Sequence, residues 1–181
     1  MNVELRMVVE SSGGNFGDVN FTLHRLTNDW GEGTTVGALE GGFGGSPAMG
    51  DATWSSNFHN VSTWASNGGD YIATPSAVQS AGQAGDLVVW SDPYMVADVQ
   101  GWVDGTLPNN GWIVLSAIEG TKQRAKKFYS SEASVNRPMI VVTADLAAAV
   151  PGIGPYGMML IITAIGVAGV LRAGVAGRRK P

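Results

Sequence analysis

Asn2–Glu10, NVELRMVVE, carries Val3, Leu5, Met7 and Val9 at every second position, with Asn2, Glu4, Arg6 and Glu10 between them. Only Val8 breaks the alternation. A period of two is the signature of a strand with one face buried and one face wet. The next periodic stretch repeats it: in VNFTLHRL, Val19, Phe21 and Leu23 point one way and Asn20, Thr22 and His24 the other. The linker between them, SSGGNFGD, is made of turn residues, so the two strands are expected to form a hairpin. These two segments set the fold class as β, and the rest of the chain is read outward from them.

Composition agrees. The 181 residues include 26 Gly and six Trp, and only 14% are charged. Low charge with many turn formers and aromatics describes an all-β domain. The formal charge of −4 argues against nucleic acid as a partner, because phosphate binding needs a clustered basic face. With no cysteine, neither a disulfide framework nor a thiolate metal site exists.

Further along, DLVVW (Asp86–Trp90) is a strand, WIVLSAI (Trp112–Ile118) a buried strand, and AKKFYSSE and RPMIVVTA two more strand candidates. Between them the period changes. Met95 or Val96, Val99, Trp102 and Val103 recur at three to four residues, with Pro93 ahead of them, which describes a short amphipathic helix. Residues 28–86 read mostly as loop, with short strand candidates near Asp51–Trp54 and Asp70–Ala73. A loop this long in a compact domain points to function or to disorder. The sum is six to eight strands and one short helix over residues 1–144, expected as a jelly-roll-like β-sandwich.

The C-terminus reads differently. No charge occurs between Leu146 and Leu171, and about 20 apolar residues suffice for a helix to cross a bilayer. Pro151 and Pro155 would break such a helix, so the expected transmembrane helix covers 156–177, after a linker at 145–155. Arg172, Arg178, Arg179 and Lys180 flank its far end, and residues 178–181 are expected as a basic cytoplasmic tail. MNVELRMVVE shows no basic segment followed by an apolar run, so no signal peptide is visible. An exit anchor without an export signal is expected from the C-terminal part of a longer export product.

Taken in order, LTNDWGEGTTVG, GDATW, WASNGGDY, VADVQGWVDG…NNGW and KKFYSSEASVNRPMIVV resemble the DNRLRE-domain proteins, bacterial surface and secreted β-sandwich modules. The last segment is similar to the family's closing pattern through Phe128, Ser131, Glu132, Arg137 and Pro138. The resemblance covers residues 2–144. Family domains begin with further strands that this chain lacks, which supports the expectation of N-terminal truncation. Some modules of this type are treated as carbohydrate-binding. The tail VPGIGPYG, through Val150, Pro151, Pro155 and Tyr156, together with its apolar span and Arg cluster, resembles sorting signals of the IPTL-CTERM and PEP-CTERM kind. That implies a membrane-embedded sorting protease as a partner.

With two histidines, His24 on an outward strand face and His59 in a loop, and no G-x-S-x-G elbow, a serine–histidine site has no support. Asp29, Glu32, Asp51, Asp70 and Asp98 could in principle supply a glycosidase pair, but no spacing selects one, and Asp is well suited to turns and caps. Asn28, Asp29 and Glu32 are candidate calcium ligands, with Asn15 and Asp18 as a weaker set. No other cofactor is expected. Trp54, Trp64 and Tyr71, set among Asn57, Asn60 and Asn67, are candidate sugar-stacking residues. Trp90, Trp102 and Trp112 lie on periodic positions and are expected in the core. Trp30 is expected to be buried, with Glu32 tying down loop amides.

The function expected is therefore non-catalytic: a module of the bacterial cell envelope or extracellular space for adhesion, matrix or polysaccharide contact. It would be membrane-anchored or sorted through its C-terminus. The alternative is an accessory carbohydrate-binding domain of a polysaccharide-degrading enzyme with its catalytic part upstream.

Overall fold

The computed structural model describes residues 1–13, 17–33, 35, 45–118 and 124–144. Among them are seven strands and one helix: β1 (Asn2–Ser12), β2 (Val19–Arg25), β3 (Ala77–Ala81), β4 (Leu87–Trp90), α1 (Pro93–Val103), β5 (Trp112–Ser116), β6 (Lys126–Phe128) and β7 (Met139–Thr143). The linker, the sorting motif at Val150, Pro151, Pro155 and Tyr156, the membrane segment and the basic tail lie outside the described residues. Among the described residues no helix is long and apolar enough to cross a membrane.

The strands form two antiparallel sheets. In the first, β1 pairs with β4 through Leu5–Val8, and with β7 through Asn2–Arg6. Further along, Val9–Ser12 of β1 meet β6 across an irregularity in register. Val9 exchanges backbone bonds with Gly85 and Asp86, while the Val8 carbonyl accepts from the Tyr129 N–H, so β6 and β7 follow one another along the side of β1 away from β4. The second sheet has the order β3-β2-β5.

The expected β1–β2 hairpin does not form, because the two strands belong to different sheets. Alternation fixes which face of a strand is buried, not which strand lies beside it. Both sides of β1 are taken by β4 and by β6 and β7; both sides of β2 are taken by β3 and β5. What the two alternating strands share is the core. Val3 and Val9 from β1 meet Val19, Phe21 and Leu23 from β2, together with Ala77, Ala81, Val88 and Trp90. The Trp90 indole N–H donates to the Phe21 carbonyl at 3.2 Å, linking one sheet to the other. Phe128 closes this region, with its ring centroid 5.5 Å from Phe21 in an edge-on contact.

Helix α1 begins where its sequence directs. The Asp92 side chain accepts from the Tyr94 N–H at 2.9 Å and Pro93 occupies the first turn, where its missing N–H costs nothing. Met95 and Val99, one turn apart, are buried in the core, as the spacing predicts. A side-chain network fixes the helix to the second sheet. Asp98 pairs with Arg25 of β2 at 3.0 Å and accepts from Trp112 Nε1 of β5 at 2.8 Å and from Ser76 Oγ at 2.6 Å. Trp102 packs on Trp112 with ring centroids 4.5 Å apart. Of the three tryptophans expected in the core, Trp90 is fully buried, whereas Trp102 and Trp112 are half-buried against its margin.

Two further expectations are corrected. The region 28–86 contains strand β3, while the candidates at Asp51–Trp54 and Asp70–Ala73 are not strands; the latter contributes only an isolated bridge, Leu26 to Tyr71. His24 does not face water but is 7% exposed. The segment after Tyr71 folds back over the outer face of β2. His24 Nδ1 donates to the Ile72 carbonyl at 2.8 Å and Nε2 lies 3.0 Å from Thr22 Oγ1. Since a carbonyl can only accept, Nδ1 carries a proton.

Among the described residues, β7 is the exposed part of the first sheet. Val3 stands opposite Val142, and Leu5 opposite Ile140. Opposed residues in an antiparallel pair share a face. Yet Val3 is 0% exposed and Val142 49%: the core cluster includes Val3 and no residue of β7.

Candidate functional site

The segment joining β2 to β3 builds the site. Its shape depends on close backbone approach. A Cβ at Gly31 would collide with the Gly50 carbonyl oxygen, so only glycine lets the WGEG turn lie against the 50–52 segment. That contact is sealed by backbone bonds from Ala52 N–H to the Gly31 carbonyl at 2.8 Å and from Gly31 N–H to the Asn57 carbonyl at 2.9 Å. Buried Asp51 serves the same fold, accepting from the Ala48 N–H at 2.8 Å and from Thr35 Oγ1.

These contacts place four tryptophans around one groove of about 470 Å³, lined by Trp30, Trp54, Trp64 and Trp112 with Leu26, Gly68 and β5 residues. Trp112 and Val114 share a face with Leu23, while Ile113 and Leu115 share one with His24 and Thr22. Residues from both faces of β5 thus line the groove, and β5 is the edge of its sheet among the described residues. Two indoles are pinned at the nitrogen: Trp64 Nε1 donates to the Thr53 carbonyl at 2.9 Å, and Trp30 Nε1 to the Asn110 carbonyl at 2.9 Å. Trp54 is 65% exposed. Its ring lies over Gly68, where a Cβ would stand 2.8 Å from the nearest ring carbon, and its carbonyl accepts from the Gly68 N–H at 2.7 Å. Trp30 is 37% exposed rather than buried, because its ring spans from the loop to the Asn109–Trp112 turn instead of entering the core.

On the other side of the 66–71 turn is a polar cleft of about 430 Å³, lined by Thr27, Asn28, Ser66, Asn67, Asp70 and Tyr71 among others. Asp70 organises it. Its carboxylate accepts from the Ala65 N–H at 2.9 Å, the Ser66 N–H at 3.0 Å and Asn28 Nδ2 at 2.7 Å. The Ala65 N–H bond is the largest influence and, joined by those from Ser66 and Asn28, outweighs desolvation and holds the Asp70 carboxyl below its ordinary value of 3.8. The tie to loop amides expected of Glu32 is thus made by Asp70 and Asp51, while Glu32 is exposed.

The structure brings Trp54 and Trp64 together and sets Tyr71 in the neighbouring cleft, its ring 5.0 Å from His24. Asn28 is engaged by Asp70, and Asp29 Oδ1 accepts from the Trp30 N–H at 2.9 Å. Asn28 and Asp29 are therefore drawn to different partners while Glu32 is exposed, and among the described residues no group of three acids or histidines could hold a metal. Trp30 and Trp112 are groove residues that sequence reasoning assigned to the core. Their signal was weak: Trp112 opens a continuous apolar run, and Trp30 sits between an acid and a glycine.

Comparison with family models, with curated proteins and with solved structures found no match to this chain.

Proposed function

We propose that this chain is a non-catalytic module of the bacterial cell surface whose task is contact with polysaccharide, built on a jelly-roll-type sandwich and held or sorted through its C-terminal segment. The observation that carries the reading is the groove with four tryptophans on its walls, one of them 65% exposed and seated against a glycine. Exposed aromatic surface is costly to keep in water unless something covers it. The apolar C–H faces of pyranose rings suit flat indoles, and hydroxyls suit the amides and hydroxyls beside them. The loop that carries these rings is anchored at many points, which favours binding without large rearrangement.

The non-catalytic reading is supported by how the acids are used. Asp51, Asp70 and Asp98 hold loop amides, indoles and an arginine, which is the work of structural acceptors. The resemblance to DNRLRE-domain modules and to C-terminal sorting signals points the same way. Envelope localisation and a sorting protease rest on the sequence of residues 145–181.

The test is a glycan-array screen of the full chain, repeated with Trp54→Ala and Trp64→Ala. Binding that both substitutions abolish is expected. Absence of any glycan hit would remove the reading.

A further inference from the structure

We propose that the tryptophan groove and the polar cleft form one track for an uncharged glycan chain, and that this track rejects anionic polysaccharides. The inference rests on the polysaccharide reading above and adds the ligand's chemical class. The two concavities are neighbours across a single turn: Gly68 lines the groove, while Asn67 and Gly69 line the cleft. A chain stacked on Trp54 passes over Gly68 and meets Thr27, Ser66, Asn67 and Asn28. These are hydroxyl and amide groups that can both donate to and accept from sugar hydroxyls.

Charge sets the class. No ionisable side chain lines the groove, and the cleft contributes the Asp70 carboxylate and the Tyr71 phenol. Asp29 and Glu32, next to Trp30 on the groove wall, add exposed negative charge. Among the described residues no lysine or arginine lines either concavity. Arg25, adjacent in sequence to groove residue Leu26, is neutralised by Asp98 at 3.0 Å. Arg6 and Lys127 are paired with Glu4 and Glu10 on the other sheet. Recognition of uronates or sulfated sugars relies on arginine or lysine facing the anion, and like charges at such a surface repel the partner. A neutral chain pays no such penalty.

Affinity electrophoresis of the full chain tests this, in native gels holding either a neutral polysaccharide (galactomannan or mixed-linkage glucan) or an anionic one (alginate or polygalacturonate), at low ionic strength where charge effects are largest. Retardation by a neutral polymer with none by the anionic ones is expected. Retardation by an anionic polymer equal to or above that by the neutral ones overturns the inference and leaves polysaccharide binding intact. Retardation by none overturns the polysaccharide reading itself. The single-track element is read from Asn67→Ala, an exposed side chain on the cleft side. It should weaken neutral-glycan binding about tenfold, the size of effect of losing a contact in the body of an interface. An unchanged affinity would separate cleft from groove and overturn the single track.

Discussion

Trp54 lies directly over Gly68: a Cβ built on that glycine would be 2.8 Å from the ring, while the Gly68 N–H bonds the Trp54 carbonyl at 2.7 Å. The backbone of one loop segment thus serves as the seat of the most exposed indole on the groove. Gly68 also has φ near +94°, a conformation that side-chain-bearing residues rarely adopt. Gly68→Ala is expected to destabilise the domain by about 1 kcal/mol through backbone strain and to displace the Trp54 ring. Glycan affinity should fall with it, comparably to Trp54→Ala. Wild-type affinity in Gly68→Ala would show that the ring does not need this seat.

Asp98 is the junction between helix and sheet, with Arg25, Trp112 and Ser76 on one carboxylate. Removing one partner of this partly buried pair leaves the other charge poorly compensated, at a cost of about 2 kcal/mol once solvent screening is allowed for. Asp98→Ala should lower the denaturant midpoint accordingly, without changing the slope of the transition. A loss under about 1 kcal/mol would mean that water already solvates Arg25.

The turn over 65–71 should be acid-sensitive in a defined direction. Hydrogen bonds to the ionised Asp70 hold its folded pKa below 3.8, so the stabilisation they give is fully present above 3.8 and disappears as pH falls through the lower folded value. The amide resonances of Ala65 and Ser66, followed by NMR during acidification, should shift with a midpoint below 3.8. Movement that is complete above 3.8 would contradict the bonding described. Asp70→Asn should remove the dependence.

The exposure of β7 predicts an asymmetry between two residues that face each other. Val3→Ala empties a closed core position and should cost about 2 kcal/mol. Val142→Ala, at 49% exposure directly opposite, should cost below about 0.5 kcal/mol. Equal losses by chemical denaturation would mean that Val142 is covered in solution.

Much of the fold was legible. β1 and β2 stood out because one face of each is buried, so apolar residues at alternate positions are enforced. Met95 and Val99 marked α1, and Pro93 marked its start. Pairing was not legible, since Val3 and Val19 say only that both strands face a core, and that core lies between two sheets. β3 was missed for a different reason. Its inward positions, Ala77 and Ala81, are small, and Val78 points outward, so the apolar alternation is absent from AVQSA. At the site, Trp54 and Trp64 were readable as rings in a polar loop. Trp112 was not, because one side chain there serves two surfaces: its nitrogen bonds Asp98 while its ring borders the groove.

The measurement that bears most directly on the central claim is titration of the full chain with a neutral polysaccharide, followed by tryptophan fluorescence, for wild type and Trp54→Ala. The account predicts a saturable change in wild-type emission as the exposed indole is covered, and at least a tenfold weaker response in Trp54→Ala, about 1.4 kcal/mol. A saturable response of the same affinity in both proteins, or none in the wild type across the neutral glycans, would contradict it.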